Sequence, residues 1–178
     1  REQHDLTEKI ILLGVANPWS AKKGIDIFVG LSKVLEPMYK IVLVGLSNEQ
    51  LKQLPENILG LPSINNQKEL VEIYSDADYF LNPSLEETMG LVTIEALACG
   101  TPVIVSNSTA VPEFVNEKCG EIVKGNEIKD YYNALISAKK YSLQSCLEQA
   151  RNYDSVIKNR EYIALYNEII KASKREQT

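Results

Sequence analysis

The sequence predicts an α/β fold: a Rossmann-like, doubly wound parallel sheet of about six strands with helices on both faces. Two observations predict it. Short, wholly apolar runs such as Ile10 to Val15 and Lys40 to Gly45 read as strands buried on both faces. Between such runs lie stretches with helical spacing, and the alternation repeats six times along 178 residues. A chain of that length suits one domain, and 44% hydrophobic residues are enough for a core.

The elements follow in order. Ile10 to Val15 is the first strand. Gly24 to Leu35 is a helix with Ile25, Phe28, Val29, Ser32 and Leu35 on one side. Lys40 to Gly45 is the second strand, Asn48 to Leu54 a short helix, Asn57 to Leu61 a weak strand and Gln67 to Ser75 a helix. Tyr79 to Asn82 is a strand, and Gly90 to Cys99 a helix that Gly100 and Pro102 terminate. Val103 to Val105 and Glu121 to Val123 are strands. Asn126 to Lys139 is a helix, and Ser155 to Lys171 a longer amphipathic one in which Tyr162 and Tyr166 read as core. Residues 1–9 are expected as a disordered or linker start, residues 10–171 as the domain, and residues 172–178 as a tail.

Charge excludes some classes. With 19 Lys+Arg against 24 Asp+Glu there is no basic field for nucleic acid. No run of 18 apolar residues would span a membrane. Cys99, Cys119 and Cys146 lack metal spacing, are expected to be reduced and point to a cytoplasmic protein. Asp76-Ala77-Asp78 resembles a metal-binding Asp-x-Asp, but closes a helix and enters a strand, so it reads as punctuation. The start, REQHDL, carries no signal-peptide pattern, and the expectation is the second half of a longer protein.

In doubly wound sheets, ligands bind beyond the carboxyl ends of the strands. Two loops there carry chemistry. After the first strand, Lys22 and Lys23 stand directly before a helix, an unfavourable place for cations unless an anion is bound. After the fourth strand, Gly90 permits close approach, and the amides of Gly90, Leu91 and Val92 open a helix. Two helix starts and Lys23 suit a diphosphate. Glu95 lies about one turn into that helix, flanked by Ile94, Ala96, Leu97 and Ala98, with no partner nearby in sequence. A buried charge there needs a partner. A ribose diol would supply two donors. Glu87, in the loop, is placed to meet hydroxyls of an attached sugar, whereas Glu86 reads as a surface residue. Trp19 reads as packing.

The stretch from Glu87 to Glu95, ETMGLVTIE, resembles the E-x7-E motif of retaining glycosyltransferases of family 4. Asp78 to Ser84 is similar to the strand preceding that motif, Glu95 to Val105 to the segment after it, Ala21 to Asp26 to the family's Lys-Gly segment, and Val44-Gly45 to its second strand end. The resemblance covers most of residues 10–171. It implies the C-terminal, donor-binding half of a GT-B enzyme of two Rossmann-like domains. It implies Lys23 and Glu87 as catalytic residues, on the diphosphate and the transferred sugar respectively, and Glu95 on the ribose. Asn17, Lys22, Gly45 and Thr88, Met89, Gly90, Leu91 and Val92 would complete the donor site. Backbone at Ile64 and Asn65 would face the base, and Ser106 to Glu113 would border the pocket.

The implied substrate is a nucleotide-diphosphate sugar, UDP-sugars being the commonest donors, with no cofactor and no catalytic metal. The implied partners are an N-terminal acceptor domain and a glycan or lipid-linked acceptor. The implied setting is bacterial polysaccharide synthesis in the cytoplasm, any peripheral attachment to the inner membrane face coming from the other half. Two departures stand out. Asn17 occupies a position usually held by arginine, and Thr109-Ala110 replace the usual paired glycines. A GT-B nucleotide-sugar epimerase and a non-catalytic α/β binding module are the other readings of the fold.

Overall fold

The computed structural model describes residues 1–4 and 6–175. Six strands, β1 (Ile10–Val15), β2 (Tyr39–Val44), β3 (Ile58–Leu61), β4 (Tyr79–Asn82), β5 (Val103–Ser106) and β6 (Gly120–Val123), form one sheet in the order β3-β2-β1-β4-β5-β6. Every pairing is parallel. The expected doubly wound sheet is therefore present.

Because successive strand side chains point to opposite faces, each strand feeds two cores. Leu13, Val42, Val44, Phe80, Val103 and Val105 face a layer made by Tyr74, Ala96, Leu97, Cys146 and Ala150. These come from α3 (Gln67–Asp76), α4 (Leu91–Ala98) and α6 (Leu143–Arg151). Leu12, Ile41, Leu43, Leu81 and Ile104 face Phe28, Leu31, Tyr131 and Leu135, from α1 (Ile25–Leu31) and α5 (Ile128–Ser137). The short α2 (Asn48–Gln53) starts in a reciprocal Ser47/Gln50 capping box.

Strand positions match the apolar runs, with Tyr79–Asn82 as expected to the residue. Four differences have physical causes. Helix α6 was not anticipated; only Cys146 and Ala150 of its nine residues are buried, and such small side chains give little periodic signal. The segment expected as a disordered or linker start packs on the domain at its described residues. A 3-10 turn forms at Glu2–His4, Leu6 is buried against the sheet, and the Arg1 guanidinium pairs with Asp78 at 2.9 Å. The expected tail from Ala172 continues α7 (Ser155–Arg175), while residues 176–178 lie outside the described residues. Tyr162 and Tyr166 stack on each other but are 57% and 59% exposed, so they are not core: α7 exposes its apolar side chains on every turn.

Candidate donor site

The strand order reverses between β1 and β4, whose chain continuations run to opposite sides of the sheet. Such a reversal leaves a crevice at the carboxyl ends of the two strands. A cavity of about 270 Å³ lies there. Val15, Ala16 and Asn17 line it from β1, and Leu81, Asn82 and Pro83 from β4.

Its other walls are built by two loops held closely together. A 3-10 turn at Ala21–Lys23 leads into α1 through Gly24, whose φ is +76°. A Cβ at Gly24 would lie 2.8 Å from the Pro83 carbonyl oxygen, so only glycine allows this approach. The loop after β4 then bonds to that turn. The Leu85 amide donates to the Lys22 carbonyl at 2.8 Å, and the Ser84 hydroxyl to the same oxygen at 3.2 Å. Two ion pairs run alongside: Lys22 with Glu86 at 2.7 Å in solvent, and Lys23 with Glu87 at 2.6 Å at the cavity. The Glu87 side chain is only 11% exposed and that of Lys23 33%.

Behind the loop, buried polar groups fix its path. The Asn82 amide group donates to the Thr93 hydroxyl at 3.0 Å and its oxygen accepts from the Ser84 amide at 3.2 Å. The Ser106 hydroxyl bonds the Ser84 carbonyl. Burying these groups is tolerable because each finds a partner. Trp19 forms a rigid wall. Its indole donates to the Val44 carbonyl at 2.8 Å, and its ring meets Phe28 edge-on at 5.4 Å. Trp19 therefore both packs, as expected, and lines the cavity.

Helix α4 points its first turn at the cavity. Gly90 is its N-cap at φ +62°, a left-handed conformation that glycine adopts without strain. The Leu91 and Val92 amides that follow have no acceptor within the helix, whereas the Thr93 amide donates to the Gly90 carbonyl at 2.9 Å. The structure thus brings Asn17, Lys23, Glu87, Thr88, Met89, Gly90, Leu91 and Val92 to one cavity.

The remaining anticipated residues lie outside its lining. Lys22 faces Glu86 in solvent. Gly45 follows β2 and lies against the Ala16 carbonyl. Ile64, half-buried against the sheet, and exposed Asn65 follow β3.

Glu95 corrects one premise. It is not a charge buried within an apolar helix: it lies on the solvent side of α4, where Leu91 and Ala98 are exposed as well. It also has a protein partner far away in sequence. The Tyr74 hydroxyl donates to Glu95 Oε2 at 3.0 Å. Tyr74 is 1% exposed, and burial first, then the Glu95 carboxylate, hold its phenol far above its ordinary pKa. The phenol is a permanent neutral donor. It orients the carboxylate without neutralising it.

Asp78 accepts from the Ile11 amide at 2.8 Å, so this carboxylate ties β4 to β1. Among the described residues, no group of three or more His, Cys, Asp or Glu side chains is placed to hold a metal ion.

The profile of the family described as glycosyl transferases group 1 matches residues 1–161. The chain belongs to that family.

Relatives of this group 1 domain include the D-inositol 3-phosphate glycosyltransferase of Mycobacterium sp. (strain KMS), 34% identical over 96 residues. That match covers 53% of this chain and 21% of the relative. The sulfoquinovosyl transferase SQD2 of Arabidopsis thaliana is 24% identical over 164 residues, covering 76% of this chain and 32% of the relative.

Among solved structures, Anabaena Alr3699/HepE in complex with UDP and glucose superimposes with a TM-score of 0.77 at 17% identity. The match covers 94% of this chain and 51% of that one. Sucrose-phosphate synthase from Thermosynechococcus elongatus gives 0.78 at 24% identity, covering 97% and 48%. These likenesses establish the Rossmann-like fold of the domain. The domain spans about half the length of those solved chains and about a fifth of the first curated relative.

Sequence reasoning missed Tyr74 and Asn82 as parts of the site's frame, and it placed Thr109 on the pocket border without its bond to the Glu87 amide. Tyr74 lies 21 residues from Glu95 and meets it only through the packing of α3 on α4. Asn82 was visible as the last residue of a strand that ends at the predicted ligand edge.

Proposed function

We propose that this domain is the donor-binding half of a retaining glycosyltransferase of the family 4 type, taking a nucleoside diphosphate sugar. The observation that carries the reading is the convergence of Lys23, Glu87 and the head of α4 on one cavity at the β1/β4 reversal. The diphosphate lies between Lys23 and the amides of Gly90, Leu91 and Val92, where cation and helix start both favour an anion. Glu95, held by Tyr74, accepts from the ribose hydroxyls. Backbone near Gly45, Ile64 and Asn65 faces the base, and UDP is the favoured nucleotide.

Lys23 and Glu87 are paired with each other. Donor phosphate takes over Lys23 and leaves Glu87 for the sugar hydroxyls. As the sugar–phosphate bond breaks, negative charge grows on the diphosphate and positive charge on the sugar ring. Lys23 and the α4 amides stabilise the first and Glu87 the second, as preorganised electrostatics. The acceptor hydroxyl attacks from the face that the diphosphate leaves and passes its proton to the departing phosphate oxygen, so configuration is retained. This route calls on no metal ion. Asn17, a neutral amide in the cavity wall, contributes less to the diphosphate than a cation would.

The acceptor side comes from a second, N-terminal domain, so transfer needs the longer protein. Bacterial polysaccharide synthesis at the cytoplasmic side of the membrane is the setting that the resemblance supports; no helix among the described residues is long and apolar enough to cross a membrane.

The test is product analysis with the full-length protein and a panel of nucleotide sugars, resolved by NMR. A new glycoside with the donor's anomeric configuration supports the reading. An epimerised nucleotide sugar formed without acceptor would replace it by the epimerase reading, and no turnover of any donor would leave a binding module.

A further inference from the structure

One residue at the rim is strained in a way the fold alone does not require. Among the described residues, Thr109 is the only non-glycine with positive φ, at 51°. Left-handed backbone is unfavourable for any side chain and most of all for a β-branched one. A strained residue survives where its surroundings hold it, and such residues concentrate at functional sites.

Both ends of its loop are fixed. The Asn107 amide donates to the Val123 carbonyl at 3.0 Å. On the other side, Val111 and Phe114 of a 3-10 turn (Val111–Phe114) are buried. Phe114 packs edge-on against Tyr153 at 4.9 Å, the Tyr153 hydroxyl bonds the Glu113 carbonyl, and Gln149 of α6 bonds the Phe114 carbonyl at 3.0 Å. The chain must reverse between these anchors. Glycine would do so without strain.

What threonine adds is its hydroxyl. Thr109 Oγ1 accepts from the Glu87 amide at 3.0 Å, across 22 residues of sequence. It is a direct tie from this anchored loop to the backbone of the carboxylate at the cavity. On the other side, that same residue is tied through its side chain to Lys23.

We propose that Thr109 is a positioning residue: its hydroxyl fixes the Glu87 backbone so that, once donor phosphate takes Lys23, the Glu87 carboxylate stays aimed at the donor sugar. The role rests on the donor-site reading above. It predicts that stability and sugar recognition move independently. Without the tie, Glu87 would lose its aim while the nucleotide subsite, built from Lys23, α4 and Glu95, would remain intact.

The test uses Thr109→Gly, Thr109→Ser and Thr109→Val, with three readouts. The first is the melting temperature. The second is hydrogen exchange at the Glu87 amide, which needs no ligand. The third is the affinity for UDP and for UDP-glucose, whose ratio measures what the sugar contributes. Thr109→Gly should melt at or above the unsubstituted chain, exchange faster at Glu87 and lose about fivefold in the UDP-glucose to UDP affinity ratio, with UDP itself unchanged. Thr109→Ser should keep both the protection and the ratio. Thr109→Val should lose both and melt lower.

Unchanged exchange at Glu87 in Thr109→Gly would overturn the tie. Faster exchange with an unchanged ratio would overturn the positioning role while leaving the donor site standing. Failure of the unsubstituted chain to bind UDP or UDP-glucose would remove the donor-site reading and this role with it, whatever the exchange data show.

Discussion

The two glutamates of the E-x7-E stretch are held in opposite ways. Glu87 sits in a loop, nearly buried, and its partner is a cation, Lys23, at 2.6 Å. Glu95 sits on a helix, exposed, and its partner is a neutral phenol, Tyr74, at 3.0 Å. A cation cancels a carboxylate's charge; a phenol directs it and leaves the charge in place. The Glu87 loop is therefore self-satisfied until a ligand competes for Lys23. In the proposed reading the Glu95 carboxylate, left charged by its neutral partner, accepts from ligand hydroxyls directly. In that reading the same side chain serves two functions because the partners differ.

Breaking the loop side should have the largest effect. In the full-length protein, Glu87→Ala should lower kcat by roughly 10²-fold, on the scale of removing one preorganised electrostatic group. Near-normal kcat would strike Glu87 from the catalytic residues. Lys23→Ala should weaken diphosphate binding by about tenfold or more, the scale of one charge-assisted hydrogen bond. It should also leave the nearly buried Glu87 without its cation. A double-mutant cycle over Lys23 and Glu87, read by denaturant unfolding, should give a coupling of about 1 kcal/mol. Additive single losses would mean that the pair is not a stabilising contact.

The helix side should respond more gently. Glu95→Gln keeps an acceptor for Tyr74 but removes the charge, and should weaken nucleotide binding several-fold without lowering the melting temperature. Tyr74→Phe should weaken it less, since the carboxylate remains but is no longer aimed. Tyr74 also sets an alkaline limit. Its phenol stays protonated in the folded state while an unfolded tyrosine ionises near its ordinary value, so the folded state binds more protons above that value. Stability contributed this way is complete below about pH 10 and falls as the pH rises beyond it. Tyr131, whose phenol burial pushes up to about 12, adds to the same slope. Urea titrations between pH 9 and pH 11, about the ordinary tyrosine value, should show that loss, less steep in Tyr74→Phe.

The smallest effect should come from the neighbouring, exposed pair. Glu86→Ala breaks the contact with Lys22 in solvent and should change stability by less than about 0.5 kcal/mol. A large loss there would blur the contrast between the two ion pairs.

Much of the fold could be read from the chain because strands buried on both faces leave continuous apolar runs, as in Ile10–Val15 and Tyr39–Val44. Helix α6 was hidden because small residues bury it. The exposed apolar turns of α7 misled in the other direction, since periodicity reports a face but not what covers it. At the site, the rule that ligands bind beyond the carboxyl ends of the strands, with the resemblance, placed Lys23, Glu87 and the α4 amides together although 64 residues separate the first two. It could not place Tyr74 beneath Glu95, nor Thr109 behind Glu87, because those contacts join segments 21 and 22 residues apart through the packing of other elements. The exposure of Glu95 was masked by Leu91 and Ala98, apolar residues on the outer side of α4.

The central claim is a nucleoside diphosphate site shared by Lys23 and Glu95. Calorimetric titration of the chain with UDP, GDP and ADP, with and without EDTA, beside Lys23→Ala and Glu95→Gln, tests it most directly. The account predicts chelator-insensitive binding of one of the three, weakened strongly by the first substitution and several-fold by the second. Binding that neither substitution alters, or no binding of any diphosphate, would contradict it.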